Sequence, residues 1–437
     1  MTSAVKFPGL AFHVSLRHTG FVLAIVLAHA LSTAPALGQT LAVLHDFTGA
    51  GDGGNPDAGL TVDAAGNLYG NASIGGAGHG LVFKLTHKNS AWILTPLYVF
   101  QGGNDGAMPF GGLSFGPDGA LYGTTQSGGG GPCDNGFVGC GTVFKLTPPA
   151  SICHTTSCPW TETVLYRFQG QPDASYPTSN LIFDQAGNIY GTSNEGGTSG
   201  AGTVYELTNS GGNWSESILY SFKGWLGQDG ASPRAGVIFD AAGNLYGTTP
   251  QGGTGCGSPG CGTVYELSPS QSGWVETLLY NPPGWPNPAF TYGGVIFGPA
   301  GILYGTTVGG GSNMVGTVYQ LAMRQGAWAA TTLYSFPGPY GDGPYAALAK
   351  DSAGNFCGTT VEDGSHGCGQ VFQFSRSGNN WVFTDLHDFF GFDGCYEYDT
   401  VAFDAAGNMY GTSYAGGTYT CFAGGGGCGT VWEITPN

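Results

Sequence analysis

A phrase close to G-N-L-Y-G-T-T occurs seven times in this chain, at intervals of 53, 68, 56, 58, 53 and 53 residues. The copies begin at Gly66, Gly119, Gly187, Gly243, Gly301, Gly354 and Gly407. Self-similarity at a period of this length indicates a repeat architecture, in which each unit buries its apolar face against the next unit. The repeat therefore constrains the fold more than the length of 437 residues does.

Each repeat contains four short runs of β-branched and aromatic residues, bounded by Gly, Asn, Asp or Pro, as strands are. Representative runs are 236–240, 245–249, 141–147 and 214–222. No stretch beyond the first 38 residues shows a helical period, and the 82 glycines suit the tight turns between short strands. Four antiparallel strands per unit predict the blade of a β-propeller.

The two ends of the chain predict that the propeller is closed. The seventh repeat stops after its third strand, at Thr435, and the missing fourth strand is found at 41–47, whose last four residues repeat the L-H-D-F of 386–389. A ring whose first strand completes its last blade has no unpaired edge, whereas an open solenoid needs polar caps. We therefore predict an all-β fold: a seven-bladed β-propeller of four-stranded antiparallel blades over residues 39–437, closed by the strand 41–47.

The first 38 residues have the pattern of a secretory signal peptide. Lys6 and Arg17 precede an apolar run at 21–31, and the small residues Ala36 and Gly38 precede the expected cleavage before Gln39. The run is short for a membrane span, although an uncleaved anchor helix is the alternative. We expect a secreted or periplasmic protein that is not inserted in a membrane after cleavage.

The charge of the chain excludes some classes of partner. The formal net charge is −17, and removal of residues 1–38, which carry two basic residues and no acid, leaves −19. An acidic surface repels phosphate backbones and anionic lipids, so neither nucleic acid nor a membrane surface is the expected partner. Calcium and neutral sugars are compatible with this charge.

Three phrases, G-N-L-Y-G-T-T, G-G-x-x-G-T-V-[FY]-x-L and L-Y-x-F, resemble those of the Gloeo/Verruco tandem repeat family over residues 41–435. That family is found in exported bacterial proteins with varied surface-anchoring tails. The resemblance implies export and a propeller-like fold, and it implies no particular activity. This chain lacks a hydrophobic tail, which favours release into the periplasm or medium over attachment.

An exported chain with eleven cysteines is expected to form disulfides. The predicted local pairs are Cys133–Cys140, Cys153–Cys158, Cys256–Cys261 and Cys421–Cys428. A further pair, Cys368–Cys395, is expected because the loops that carry these two residues lie on the same face of a propeller. Cys357 is left as a buried thiol. Zinc binding is the alternative, but the pairs lie on separate blades without histidines at zinc-finger spacing.

The loop that enters each blade carries a D-G-x-x-P phrase or a shortened form of it. Its aspartates are Asp52, Asp105, Asp229, Asp342 and Asp393. At the mouth of the central channel, a ring of such carboxylates could hold calcium, which is the only cofactor that the sequence suggests. The alternative is turn chemistry, in which Asp bonds the backbone two residues on and Gly supplies a positive φ.

Aromatic residues in the same loops are the candidate ligand contacts: Trp225, Trp285, Tyr292, Tyr340 and Tyr345. Such side chains stack on sugars and anchor interfaces, or alternatively cover the rim of the core. The leading prediction is an exported, noncatalytic and monomeric module that presents a loop-rich face to a polysaccharide or protein partner.

Two other functions stay open. A polysaccharide lyase or glycoside hydrolase would need paired carboxylates in a cleft, and Glu195, Glu362 and Asp363 are the acids to inspect. The H-E-x-x-H motif of metalloproteases is absent. The third possibility is a structural component of a surface layer.

Overall fold

The computed structural model describes residues 40–133, 138–149, 160–338, 343–378, 380–421 and 426–436. In these residues the chain forms seven antiparallel blades, one additional two-stranded ribbon and no α-helix, with two single turns of 3₁₀ helix at Trp225–Gly227 and Pro299–Gly301. No helix in this part of the chain is long and apolar enough to cross a membrane. The predicted signal peptide lies outside the described residues.

The first strand and the first three blades follow one another in chain order. The first strand is β1 (Thr40–Asp46). Blade 1 contains β2 (Thr61–Val62), β3 (Leu68–Ala72), β4 (Leu81–Lys88) and β5 (Ala91–Val99). Blade 2 contains β6 (Ser114–Phe115), β7 (Leu121–Thr125), β8 (Thr142–Thr147) and β9 (Thr161–Arg167). Blade 3 contains β10 (Ala174–Pro177), β11 (Ile182–Phe183), β12 (Ile189–Gly196), β13 (Thr203–Ser210) and β14 (Asn213–Ser221).

Blades 4 to 7 repeat the same arrangement. A two-stranded ribbon of β15 (Gly230–Ala231) and β18 (Gln251–Gly252) accompanies blade 4, which contains β16 (Ile238–Phe239), β17 (Leu245–Thr249), β19 (Thr263–Ser270) and β20 (Gly273–Tyr280). Blade 5 contains β21 (Ile296–Phe297), β22 (Leu303–Thr307), β23 (Thr317–Arg324) and β24 (Ala327–Ser335). Blade 6 contains β25 (Ala349–Lys350), β26 (Phe356–Thr359), β27 (Gln370–Ser377) and β28 (Asn380–Asp388). Blade 7 contains β29 (Ala402–Phe403), β30 (Met409–Ser413) and β31 (Thr430–Thr435).

The first strand completes the last blade. β1 pairs antiparallel with β31, with Leu41 opposite Ile434 and Val43 opposite Trp432. The sheet order of blade 7 is therefore β1-β31-β30-β29. Both the count of seven blades and the closure predicted from the repeated L-H-D-F segment are confirmed.

The hydrophobic core lies between the blades. Seven clusters of buried side chains each join two neighbouring sheets, and the cluster at the closure joins Phe47 and Tyr410 of blade 7 to Leu68 and Phe83 of blade 1. The second strand of each blade packs on both faces, because β-branched and aromatic side chains from the next blade cover it. The glycine of L-Y-G-T-T is required by the aromatic ring opposite it on the third strand of the same blade: a Cβ on Gly123 would lie 2.6 Å from Cζ of Phe144.

A ring of side-chain hydrogen bonds ties each blade to the next. The residue after that glycine donates to a backbone carbonyl at the start of the following blade, over 2.6–3.5 Å. The pairs are Asn71–Gly111, Thr124–Ser179, Thr192–Ala235, Thr248–Gly293, Thr306–Ala346, Thr359–Asp399 and Thr412–Ala58. These six threonine hydroxyls and the Asn71 amide therefore serve the contact between blades.

Four of the predicted disulfides are present in the described residues: Cys133–Cys140, Cys256–Cys261, Cys368–Cys395 and Cys421–Cys428. The predicted Cys153–Cys158 pair lies outside them. Cys357 is a buried free thiol, and its burial raises its pKa to about 12. Disulfides at this density are characteristic of proteins in oxidising compartments.

Candidate functional site

One position in the entry loop of every blade faces a common cavity of about 800 Å³. From blade 1 to blade 7, this position is occupied by Asp57, Phe110, Thr178, Arg234, Tyr292, Tyr345 and Tyr398. Because all seven blades contribute to its wall, the cavity lies on the axis of the propeller. We call it the axial cavity.

A bend in the entry loop directs these side chains towards the axis. Two residues before the lining position, the backbone takes a positive φ of 51–67° at Asn55, Met108, Tyr176, Ser232, Phe290 and Tyr396. Each of these residues donates its N–H over 2.7–3.0 Å to a carbonyl that lies two residues before the third strand of the preceding blade. Left-handed backbone is unfavourable for such residues and is kept only where the surroundings hold it, often at functional sites.

Three blades supply a continuous aromatic wall. The ring of Tyr345 lies 4.7 Å from that of Tyr292 and 5.5 Å from that of Tyr398, and the ring of Tyr398 lies 5.6 Å from that of Tyr414. All four side chains are half-buried and line the axial cavity. We call these four residues the tyrosine arc. It offers apolar ring faces and phenol hydroxyls within a single wall.

Opposite charges flank the tyrosine arc. At one end, the guanidinium of Arg234 lies 5.5 Å from the centroid of the Tyr292 ring, in a cation–π contact. At the other end lies Asp57, a neighbour of Asp399, Tyr398 and Tyr414. Blades 4 and 1 are as far apart as a seven-membered ring allows, so the two charges approach the cavity from opposite sides.

Asp57 and Asp399 differ in the hydrogen bonds that their carboxyl groups accept. No hydrogen bond from the described residues reaches the carboxyl of Asp57, whereas Asp399 accepts the backbone N–H groups of Gly59 and Thr400. Burial, followed by repulsion from Asp399, raises the pKa of Asp57 to about 7, although Arg234 opposes this shift. Burial also raises the pKa of Tyr398 to about 12, with Asp57 adding to the effect. A half-buried carboxyl that accepts no hydrogen bond from the described residues is a ready acceptor for a ligand that donates hydrogen bonds.

The family comparison agrees with the repeat and with the fold. The Gloeobacter/Verrucomicrobia repeat model matches residues 31–157, 132–282 and 254–437, which together span the propeller. The chain belongs to the Gloeobacter/Verrucomicrobia repeat family. No match to its sequence was found among curated proteins.

Several solved structures are distantly similar to this Gloeobacter/Verrucomicrobia repeat protein. A proposed gluconolactonase is 11% identical, with a TM-score of 0.41 over 91% of this chain and 92% of the other. A proposed oxidoreductase (glucose dehydrogenase) from Thermus thermophilus is 13% identical, with a TM-score of 0.39 over 91% and 100%. A proposed 6-phosphogluconolactonase from Bacteroides uniformis is 14% identical, with a TM-score of 0.46 over 76% and 84%. Similarities this distant do not bear on the ligand or the reaction of this repeat protein.

The structure separates the aromatic residues that the sequence singled out. Tyr292 and Tyr345 are members of the tyrosine arc. Trp225 and Trp285 are 41% and 43% exposed and are not among the residues that line the axial cavity. Tyr340 lies outside the described residues. Two of the five candidates therefore come together.

The entry-loop aspartates do not form the carboxylate ring that the sequence suggested. Each of the four described aspartates binds the preceding strand and its own loop: Asp52 accepts from His45 and Thr48, Asp105 from Tyr98 and Gln101, Asp229 from Tyr220 and Lys223, and Asp393 from His387 and Phe390. None of them lines the axial cavity. Among the residues that the structure describes, no three His, Cys, Asp or Glu side chains could share a metal ion. Asp342 lies outside the described residues.

None of the three acids marked for an enzyme lines the axial cavity. Glu195 is exposed on β12, and Asp363 is a buried neighbour of Asp388. Only Glu362 is close enough to the tyrosine arc to raise the pKa of Tyr398.

The carboxyl pair in the axial cavity is instead Asp57 and Asp399, and neither was predicted from the sequence. Arg234, Tyr398 and Tyr414 were missed as well. The sequence signal that could have indicated the cavity lining is the position after the proline of D-G-x-x-P and its shortened forms. In five blades this position varies among Asp, Phe, Thr, Arg and Tyr, although the phrase before it is repeated.

Proposed function

We propose that this repeat protein is an exported, noncatalytic binding module that holds a polysaccharide by inserting part of the glycan into the axial cavity. The observation that carries the proposal is the combination, in one cavity, of the tyrosine arc with the carboxyl of Asp57, which accepts no hydrogen bond from the described residues. Sugars present apolar C–H faces and hydroxyl donors together, and this wall offers a partner for each.

The size of the cavity supports a glycan over a protein partner. Its volume of about 800 Å³ is within the range of small-ligand sites and accommodates a few sugar rings. A stable protein–protein interface buries roughly 800 Å² of surface on each partner. A concave site of this kind would accommodate only one side chain or loop of a protein partner. Export agrees with the four disulfides and brings the protein to extracellular glycans.

A glycan-array screen of residues 39–437 tests the proposal, with Tyr345→Ala as the binding variant and Trp225→Ala as the matched control. Both changes remove an aromatic ring from an entry loop, but only Tyr345 lines the axial cavity. Loss of a central aromatic contact is expected to weaken binding about tenfold or more, while the control retains it. Absence of any glycan ligand, or loss of binding in the control alone, would contradict the proposal.

A second function, glycoside hydrolysis, is favoured by the pairing of Asp57 with Asp399. Glycosidases use two carboxyl groups, one of them with a raised pKa so that it can donate a proton. The pKa of Asp57, raised to about 7, suits that role. Release of reducing ends from the bound glycan, abolished in Asp57→Asn without loss of binding, would support an enzyme. If the glycan stays intact after prolonged incubation, hydrolysis is excluded and noncatalytic binding remains the proposed function.

A further inference from the structure

The axial cavity carries two opposite charges that the described residues do not pair. Arg234 forms no salt bridge and no hydrogen bond with the described residues, and its guanidinium instead contacts the ring of Tyr292. Asp57, across the cavity, receives no hydrogen bond from the described residues either. The two groups attract each other, but they do not form an ion pair. A ligand that spans the cavity can therefore meet a cation on one side and an acceptor on the other.

Arg234 is held in a geometry that suits an anionic group. It is exposed to solvent within the cavity wall, and the Tyr292 face limits the orientation of its guanidinium plane. Arg234 is the one basic side chain among the described residues that line the cavity. A planar guanidinium binds a carboxylate with two parallel hydrogen bonds, which a hydroxyl group cannot match.

We propose that the axial cavity selects an acidic sugar, with the ligand carboxylate on Arg234, the sugar ring on the tyrosine arc and hydroxyl groups donating to Asp57. This inference rests on the proposed function and adds the class of glycan. The net charge of −19 without residues 1–38 opposes a densely charged polyanion at long range. The preferred ligand is therefore a glycan with an isolated or terminal uronate in an otherwise neutral chain.

The test compares two glycans that differ in a single carboxyl group. If the strongest binder on the array is neutral, its counterpart is the same glycan oxidised at C6 of the terminal residue to the uronate. If the strongest binder is a uronate, its counterpart is the same glycan with that carboxyl group reduced to the alcohol. Isothermal titration calorimetry of residues 39–437 is expected to show the uronate form binding about tenfold tighter or more, because charge-assisted bidentate bonds exceed neutral ones. The variant Arg234→Gln is expected to bind both forms with the affinity of the neutral one.

Arg324→Gln is the matched control, since it removes the same charge from an exposed position on β23 outside the axial cavity. It is expected to keep the preference for the uronate. Equal binding of the two glycans by the unaltered protein overturns the acidic-sugar inference and leaves the proposed function standing. A preference that survives Arg234→Gln, or is lost equally in Arg324→Gln, also overturns it. If the array yields no ligand, the proposed function and this inference fail together.

Discussion

The hydroxyl of Thr412 donates a hydrogen bond of 3.1 Å to the carbonyl of Ala58, and these two residues lie in the last and the first blades. A threonine hydroxyl makes the equivalent bond at five of the other six blade contacts and the Asn71 amide makes it at the sixth, so the contact at which the chain closes is built like those within it. Ala58 directly follows Asp57 of the axial cavity. Closure of the ring therefore also positions one wall of the candidate site.

Removal of this hydroxyl is expected to weaken the closure. Thr412→Val leaves the Ala58 carbonyl without its donor in a buried contact, which should lower the free energy of unfolding by about 1–3 kcal/mol. Thr208→Val is the control, because Thr208 bonds only to Ser215 on an exposed surface and should change stability by about 0.5 kcal/mol or less. Urea denaturation measures both. Equal losses of unfolding free energy in the two variants would show that the buried Thr412–Ala58 bond stabilises the closure no more than a surface bond does.

Loss of the aromatic ring that follows β1 is expected to destabilise the propeller strongly. Phe47 is fully buried in the cluster between blades 7 and 1, so Phe47→Ala should cost about 3–5 kcal/mol through a cavity in that cluster. Phe392→Ala is the matched control, because Phe392 is 71% exposed and its loss should change the free energy of unfolding little. Thermal unfolding compares the two variants, and a similar midpoint for both would show that the first strand does not stabilise the ring.

Stability is expected to fall as the pH rises, because of Glu216. Burial, followed by its hydrogen bond with Asp173, raises the pKa of Glu216 to about 9, and Tyr166 also contacts it. A carboxyl whose pKa is higher in the folded protein stabilises the fold when protonated, so its contribution is complete below about pH 4.5 and is lost progressively up to about pH 9. Glu216→Gln, which stays neutral, should reduce this decline in unfolding midpoints. A profile unchanged by the substitution would refute the role of Glu216.

The Cys368–Cys395 bond is expected to support the tyrosine arc as well as the fold. The carbonyl of Cys368 accepts the N–H of Tyr396, two residues before Tyr398. Replacing both cysteines by alanine should lower the free energy of unfolding by about 2–4 kcal/mol and weaken glycan binding. The pair Cys133–Cys140 is the control: the carbonyl of Cys140 accepts the N–H of Tyr176, two residues before Thr178, which is not part of the tyrosine arc, so its loss should lower stability and affect glycan binding less. Unfolding and calorimetric titration of both double variants separate these effects.

The propeller was predictable because its evidence is local and repeated. Seven copies of one phrase set the number of blades, and the L-H-D-F shared by the two ends of the chain predicted the pairing of β1 with β31. Cys368–Cys395 followed from the face on which two kinds of loop lie. None of these predictions depends on where a single side chain points.

The candidate site was less predictable because it depends on a bend of the backbone. Asp52 and Asp105 were candidates for a shared site, but each instead accepts from a Tyr or His of the fourth strand and from a loop N–H. Arg234 and Tyr398 both face the axial cavity because the backbone two residues before each of them, at Ser232 and Tyr396, adopts a left-handed conformation. The repeated phrases contain no local signal for that convergence.

A crystal structure of residues 39–437 with the strongest-binding oligosaccharide tests the central claim most directly. The account predicts a sugar ring in the axial cavity, packed on Tyr345 and Tyr398, with a hydroxyl group donating to Asp57. An oligosaccharide bound instead to the outer loops around Trp225 or Trp285, with the axial cavity empty, would contradict it.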